Sequence, residues 1–531
     1  MSRADWIKER FEQLAEIRTP WESLWQDCAD YVLPRKNDIT TEQTQGRRRN
    51  TKVYDSTAIN ANRILAAGLQ GGLSSPSRPW FRLGLEDEDL VQFDPVKTWL
   101  ETVERIFTQT FYRSNFYTQI HECYLDLGAF GTPCVYVEHD PRKALRFGAR
   151  HIAEIFIAED ALGRVDTVFR RFGNFTARQA VQQWGRSVGE NIWELAEKKP
   201  DQKVKILHAV FPRHDRDPHH PDRKNMPWAS IYMDLEHRHI IHEGGYEEFP
   251  FMVARWSKNS NEVYGRSPAM DMLPEIMTLN EMRKTVLKAG HKQVDPPIFL
   301  PDDGFLGGKV RMTPGSVNYY RSDGKIFVPN FGLNVPLGEA MLEDSREQIR
   351  AGFFTDLFLA IIKKRNMTAT EVQEIGQEKM LLLGPTLGRL LTEIFDPLFD
   401  RAFAILARHG YLPPPPAELQ GRNLHVEYIS PLALAQKANE MDAIAQTYQF
   451  ADLRAQFNPE ILDNLDDDAN IRKIAELSGM SLSGLRPQAM VRKIREARAQ
   501  AQAEEMEREA MERNLLMAQA AAGVQKEVAS S

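Results

Sequence analysis

The stretch VYGRSPAMDMLPEIMTLNEMRKTVLKAGHKQVDPPIFLP, residues 263–301, decides how this chain of 531 residues is read. After Tyr264-Gly265 the sequence turns helical, and residues 268–294 predict one long helix of roughly 40 Å at 1.5 Å rise per residue. The helix must stop at Asp295-Pro296-Pro297, because a residue that precedes proline avoids the helical region. Residues 296–336 are rich in Gly and Pro and carry four short strand-like runs, PPIFL, KVRMT, SVNYY and KIFVP, so they read as a compact hairpin-based insert. A second long helix is predicted from Gly338 to about Ile362, with Leu342, Ile349, Phe353 and Leu357 on one stripe and Glu343, Arg346, Glu347 and Arg350 around the rest. The unit is therefore helix, small insert, helix.

Toward the C-terminus comes a short basic break, Lys363-Lys364-Arg365-Asn366. Thr368 and Glu371 then form a capping box for a helix that runs toward Gly410, with kinks expected at Gly384-Pro385 and Asp396-Pro397. Prolines 413–416 make a stiff linker, NLHVEYIS a strand, and everything from Pro431 is helical. The tail from about Gln488 is built of Ala, Glu, Arg, Met and Gln with no glycine until Gly523; it cannot bury a wide face alone and should pack on copies of itself.

Toward the N-terminus, residues 133–256 are β-rich, short runs separated by turn signals such as Asp160-Ala161-Leu162-Gly163 and interrupted by one helix, Thr176 to Trp184. Helices are predicted from Ser56 to Leu69, from Asp94-Pro95, and from Phe116 to Gly128. The first 33 residues read as two helices, because Thr19, Pro20 and Glu22 form a start signal between two apolar stripes. Residues 35–53, with Arg47, Arg48, Arg49 and Lys52, read as an exposed loop. The fold class is α+β, predominantly α-helical.

Composition narrows the function. No apolar run is long enough to span a membrane, and MSRADWIKERFEQ lacks the apolar core of a signal peptide, so folding in a cytoplasm is expected. Cys28, Cys123 and Cys134 form no C-x-x-C pair and suggest neither a disulfide framework nor a zinc module. The net charge of −7 speaks against a sequence-specific DNA binder but suits a surface on which DNA slides, since an acidic wall repels phosphate.

The search for chemistry finds no site. There is no phosphate-binding G-x-x-x-x-G-K-[ST], no G-x-S-x-G and no H-E-x-x-H. His208, His214, His219 and His220 cluster in sequence, and His237 and His239 would share a strand face, but no Cys or carboxylate accompanies them at ligand spacing. Asp302-Asp303 lacks the E-x-K partner of a nuclease, and Asp466-Asp467-Asp468 reads as an acidic loop between helices. No catalytic residue, metal or cofactor is expected. The basic break at 363–366 has two readings: cations at the negative end of a helix dipole, or a loop that carries function between two long helices.

Three segments together resemble the head-to-tail connector, or portal, family of podovirus-type bacteriophages: YDSTAINANRILAAGLQGGLSSPSRPWFRL (54–83), the stretch 263–301, and NMTATEVQEIGQEKMLLLGPTLGRLLTEIFDPLFDRAFAIL (366–406). They fall in family order, and the similarity extends over about residues 1–480. The resemblance implies a wing of α+β type (1–265, resumed at 368–440), a stem of two helices (266–295 and 337–362), a clip between them (296–336), a channel loop (363–367) and a crown with a helical tail (441–531). It implies a dodecameric ring at one capsid vertex of the virion, assembled in the host cytoplasm, through which double-stranded DNA passes without sequence recognition during packaging and ejection. Partners would be the terminase large subunit, then tail or adaptor proteins, with major capsid and scaffolding proteins around the ring, and no membrane. In this frame Lys363, Lys364, Arg365 and Asn366 would form a positive constriction that grips phosphate. Glu275, Lys284 and Lys288 on the first stem helix, and Glu343, Arg346, Arg350 and Phe353 on the second, would mix channel lining with subunit contacts. The competing readings are another virion structural protein, such as an adaptor or internal core protein, and more distantly a nuclease or ATPase.

Overall fold

Thirty residues of continuous helix, Arg3–Val32, open the chain in a computed structural model. It describes residues 2–528 except 41–45, 86, 88–89, 91–92, 218, 221, 302–310, 321–325, 330–334, 363–382, 420, 423, 456, 478–485 and 487. The predicted break at Pro20 is absent, and the proline lies inside the helix. An interior proline removes one helical hydrogen bond at a cost of about 3 kcal/mol or more. Burial on both sides of it offsets that cost: Ile7 and Leu14 before it, Trp25, Cys28 and Val32 after it, are essentially inaccessible. Thr19, expected to cap a new helix, instead donates its hydroxyl to the Ala15 carbonyl at 2.8 Å.

This helix lies on a five-stranded antiparallel sheet whose order follows the sequence: Ile155–Glu159, Val165–Arg171, Ile206–Pro212, Trp228–Asp234 and His239–Tyr246. Ile7 and Leu14 meet Phe156, Phe169, Leu207, Ala209, Ile231 and Met233 there. The alternation of side chains along each strand then gives the sheet a second apolar face. Helices Ala177–Trp184 and Glu190–Lys198 cover it with Ala177, Ala180, Val188 and Ile192 against Ile206 and Ile241. The sequence predicted the first of these two helices, and its capping box is formed by Thr176 and Gln179; the second, following Gly189, was missed. A smaller sheet, ordered Ala144–Arg150, Cys134–Asp140, Phe251–Val253, is also antiparallel.

A cluster of aromatic rings joins this body to the helical elements. Trp80 stacks on Phe116 with ring centres 5.9 Å apart and meets Phe395 edge-on at 5.2 Å, while Phe81 packs on Phe399 at 4.6 Å. Each such ring contributes about 1.5–3 kcal/mol by leaving water. The kink expected at Asp396-Pro397 takes the form of a π-helical turn, Leu391–Phe395, directly before the helix Asp396–Arg408. The chain separates into two compact units: residues 1–82, 103–413 and 426–436, and residues 83–102, 414–425 and 437–531. The second unit includes the 41-residue helix Gln488–Val528 that the tail composition predicted. Among the described residues no helix is long and apolar enough to cross a membrane.

Two buried imidazoles make stability depend on pH. His151 accepts the Ala153 N–H at Nδ1, 3.1 Å away, and burial pushes its pKa down to about 4. His208 lies inside the sheet, stacked on Tyr232 at 4.0 Å and 2.9 Å from the Ser230 hydroxyl, and burial lowers its pKa as well. An imidazole whose folded pKa lies below its unfolded value of 6.5 binds protons preferentially in the unfolded chain. Its contribution is therefore complete above pH 6.5 and is lost as pH falls toward 4. The urea midpoint is expected to drop across this window, and His151→Gln should remove about 3 kcal/mol of that dependence. Parallel pH profiles for the two proteins would contradict this assignment.

Candidate functional site

The helix–insert–helix unit is present, with altered boundaries. The first long helix is Leu273–Val294, preceded by a single turn, Pro268–Asp271, that Ser267 caps through the Met270 N–H at 3.1 Å. The second is Val335–Gly352. They run antiparallel: Gly338 faces Val286, and Gly352 faces Met272. A Cβ at position 352 would sit 2.5 Å from the Met272 side chain, so only glycine permits this approach. In the insert, Ile298–Pro301 pairs in parallel with Val317–Tyr320, and Phe299 bridges to Phe327. The expected hairpin is thus replaced by a parallel pair. Such a pair needs a connection longer than a hairpin turn, and residues 302–316 supply that length.

The predicted polar residues divide into two groups. Arg346 turns inward to Asp55, with Nε and Nη2 at 3.1 and 2.9 Å from one carboxylate oxygen. Asp55 also accepts the Thr57 N–H and hydroxyl, at 2.9 and 2.5 Å. Burial favours its neutral form, but the Thr57 and Arg346 donors prevail and hold the carboxyl below the usual range. Arg350 and Arg346 both reach Glu343, at 2.8 and 3.1 Å, and lower its pKa in that order. These three residues therefore tie the second helix to itself and to the segment before helix Thr57–Leu73. Lys284 bonds Glu281 at 2.7 Å, with its ammonium over the Tyr54 ring. Lys288 is exposed and Glu275 half-buried, and neither makes a polar contact among the described residues. Sequence reading missed Asn280, which is buried and accepts the Tyr54 and Asp55 N–H groups at 2.8 and 3.2 Å. An Asn on an otherwise apolar helix face was the available signal.

The second helix does not continue to Ile362. It ends at Gly352, and a short helix, Thr355–Ile362, follows in a new direction. Phe354 between them has φ 55°, a left-handed conformation that costs a non-glycine residue of order 1–3 kcal/mol. The Thr355 hydroxyl donates to the Arg350 carbonyl across the bend. The bend sets Leu357 and Phe358 inward, with Phe358 seated on Gly68, where any Cβ would collide with its ring. Phe353, placed by the sequence among possible subunit contacts, is 0% exposed within the single chain. Phe353→Asp buries a charge with no partner and is expected to cost more than about 4 kcal/mol. Soluble, folded protein should be lost by size exclusion and circular dichroism, while Phe353→Leu retains it; an unchanged melting curve for the Asp variant would place Phe353 elsewhere. Lys363, Lys364, Arg365 and Asn366, and the capping pair Thr368 and Glu371, lie outside the described residues.

A charge cluster absent from the sequence reading ties the sheet to the last of the three family-like segments. Arg255, 2% exposed, donates its backbone N–H to Glu393 at 2.8 Å and its Nε to the same carboxylate at 3.2 Å. Its Nη1 bonds Glu159, which Lys258 also contacts at 2.8 Å. Burial alone would lower the Arg255 pKa, but Glu393 and Glu159 outweigh it and raise it. Glu393 sits in the π-helical turn, so this cluster fixes the predicted kink against the sheet. His237 is held by Asp234 at 2.7 Å in a turn, and His239 by the Ser187 carbonyl at 2.9 Å. Among the described residues no group of three His, Cys, Asp or Glu could hold an ion. Asp466 caps helix Asp467–Leu477 through the Ala469 N–H, and Asp468 pairs with Arg495 at 2.6 and 2.7 Å, which accounts for the acidic run.

The described parts of these segments, 54–82, 263–301 and 383–406, thus converge in one packed body, through Asp55–Arg346, Asn280, Gly68–Phe358 and the rings of Trp80, Phe395 and Phe399. The family described as bacteriophage head to tail connecting protein matches residues 4–485. This chain belongs to that head-to-tail connecting protein family. Among its relatives, the portal protein of Salmonella phage epsilon15 is 37% identical over 521 residues, covering 94% of this chain and 93% of that one. The probable portal protein of Bordetella phage BPP-1 is 34% identical over 511 residues, covering 93% and 91%. The portal protein of Escherichia phage T7 is 23% identical over 312 residues, about half of each chain. The connector family is one of virion structural proteins, and all three matched segments lie inside the family's span.

Proposed function

We propose that this connector chain forms a closed ring, twelve-fold by analogy with its family, at one vertex of the capsid. The ring is the channel for genome packaging and ejection, and it docks the terminase large subunit first and tail or adaptor proteins afterwards. In this reading residues 1–265 and 368–440 form the wing, 266–295 and 337–362 the stem, 296–336 the clip, 363–367 the channel loop and 441–531 the crown. The observation that carries it is the antiparallel pair Leu273–Val294 and Val335–Gly352, closed at one end by a small β insert. The insert exposes apolar side chains that a lone chain has no use for: Tyr319 is 57% exposed, Ile326 65% and Phe327 54%. Exposed apolar groups concentrated in so short a segment favour a contact surface, here for neighbouring subunits and docking proteins. A ring requires a head-to-tail interface that closes on itself, and two different faces of the helix pair supply it.

Lys363, Lys364, Arg365 and Asn366 follow the core-anchored helix Thr355–Ile362 directly in sequence. Repeated around the ring, they would place a girdle of cations in a channel whose chain is otherwise acidic overall. The test is electron microscopy of the purified protein with no symmetry imposed. Rings with a central hole and about twelve subunits of 60.8 kDa are expected. A protein that stays monomeric even with its scaffolding protein present would overturn the ring.

A further inference from the structure

The two long helices turn one face toward each other and leave the opposite face of each uncovered. Met272 and Val286, at the two ends of the first, meet Gly352 and Gly338 of the second. At about 100° of rotation per residue, the far side of helix Leu273–Val294 then carries Met277, Glu281, Lys284 and Lys288. The far side of helix Val335–Gly352 carries Glu347, flanked by Ala340, Asp344 and Ala351. Both stripes advance by four, three and four residues. All four residues of the second stripe are exposed, as are Met277, Glu281 and Lys288 of the first. Their charges are opposite and unsatisfied. Lys284 is matched to Glu281 at 2.7 Å, which leaves Lys288 with no polar contact among the described residues. Asp344 accepts the Gln348 amide at 3.1 Å, and Glu347 makes no polar contact, again among the described residues. Because Gly338 is level with Val286 and Gly352 with Met272, the two stripes overlap along the length of the pair.

One chain cannot join these stripes, since they face in opposite directions, but a second copy of the chain can. Given the closed ring, on which this pairing rests, we infer that Lys284 and Lys288 of one copy meet Asp344 and Glu347 of the next. The contact is head to tail, because a cationic face of one helix meets an acidic face of the other, and it leaves each copy with one of each to offer. Ala340 and Ala351 carry no long side chain, so they let the neighbouring helix come close on either side of the two carboxylates. A single exposed ion pair holds little. Its effect here is on which face meets which, since turning either stripe toward its like sets equal charges against each other at every interface of the ring.

Sign reversal in the full-length protein, with its scaffolding protein present, tests the pairing through the fraction of chain found in rings by electron microscopy. Asp344→Lys with Glu347→Lys should cut that fraction at least about tenfold, and so should Lys284→Glu with Lys288→Glu, because each sets like charges face to face. Circular dichroism checks that each variant is folded; where a double variant is not, Glu347→Lys or Lys288→Glu alone takes its place, with a several-fold loss. All four substitutions in one chain, or an equimolar mixture of the two double variants, should restore rings, since every interface again joins opposite signs. In the mixture the two kinds of chain must alternate. Rings kept by either reversal overturn the pairing, which is the result if the acidic stripe lines the channel instead. Failure of both the fourfold variant and the mixture to regain rings overturns it as well. In both cases rings of the wild type leave the ring itself standing, whereas a wild type that forms none removes the ring and this pairing together.

Discussion

Arg255→Leu is expected to lower the stability of the larger unit by about 3–5 kcal/mol, the cost of leaving a largely buried carboxylate without its cation. Glu393 accepts both the backbone N–H and the Nε of residue 255, and the substitution removes the charged half of that arrangement. Glu159 keeps Lys258 and suffers less. The discriminating comparison is the double variant Arg255→Leu with Glu393→Leu. If the penalty is an uncompensated charge, the double variant should be more stable than the single one, because both charges are gone. A double variant less stable than the single one would mean that the cluster acts by packing alone and not through charge. Urea unfolding monitored by tryptophan fluorescence reads both, since Trp21, Trp25 and Trp80 lie in this unit.

Replacing Lys363, Lys364 and Arg365 together with Ala should leave ring assembly unchanged and reduce the DNA packaged or retained per particle by about tenfold or more, since each lost phosphate contact weakens the salt-dependent hold on the backbone. The substitution begins directly after helix Thr355–Ile362 in sequence, and the melting temperature of the isolated protein, measured alongside, separates a loss of grip from a loss of fold. Particles that package and hold their genome normally, at both low and high salt, would remove this run from the channel. Disrupted rings would instead make it a subunit contact.

Much of this fold was legible because its signals are local. The β-rich runs and turn signals at 133–256, the helix beginning at Thr176, the proline stop after Val294 and the glycine-poor tail each depend on residues a few positions apart, and each appears at its expected place. The errors have a common cause. Thr19-Pro20 is a good helix start in isolation, but the sheet buries Leu14 before it and Tyr264 packs on Trp25 after it, and that burial outweighs one lost hydrogen bond. The stripe Leu342, Ile349, Phe353 and Leu357 suggests one straight helix, yet the hollow over Gly68 draws Phe358 inward and bends the chain at Phe354.

The class of elements, the helix–insert–helix order and the family could be read from the residues in order, because periodicity, capping and motif order are properties of the chain alone. Which charges face inward was settled only by packing. Arg346 reads as a surface cation until Asp55, 291 residues away, meets it, and Arg255 carries no local mark of the two glutamates that surround it. Long-range pairing of this kind leaves no periodic trace, since its partners are set by how the helices and sheet pack and not by their spacing along the chain.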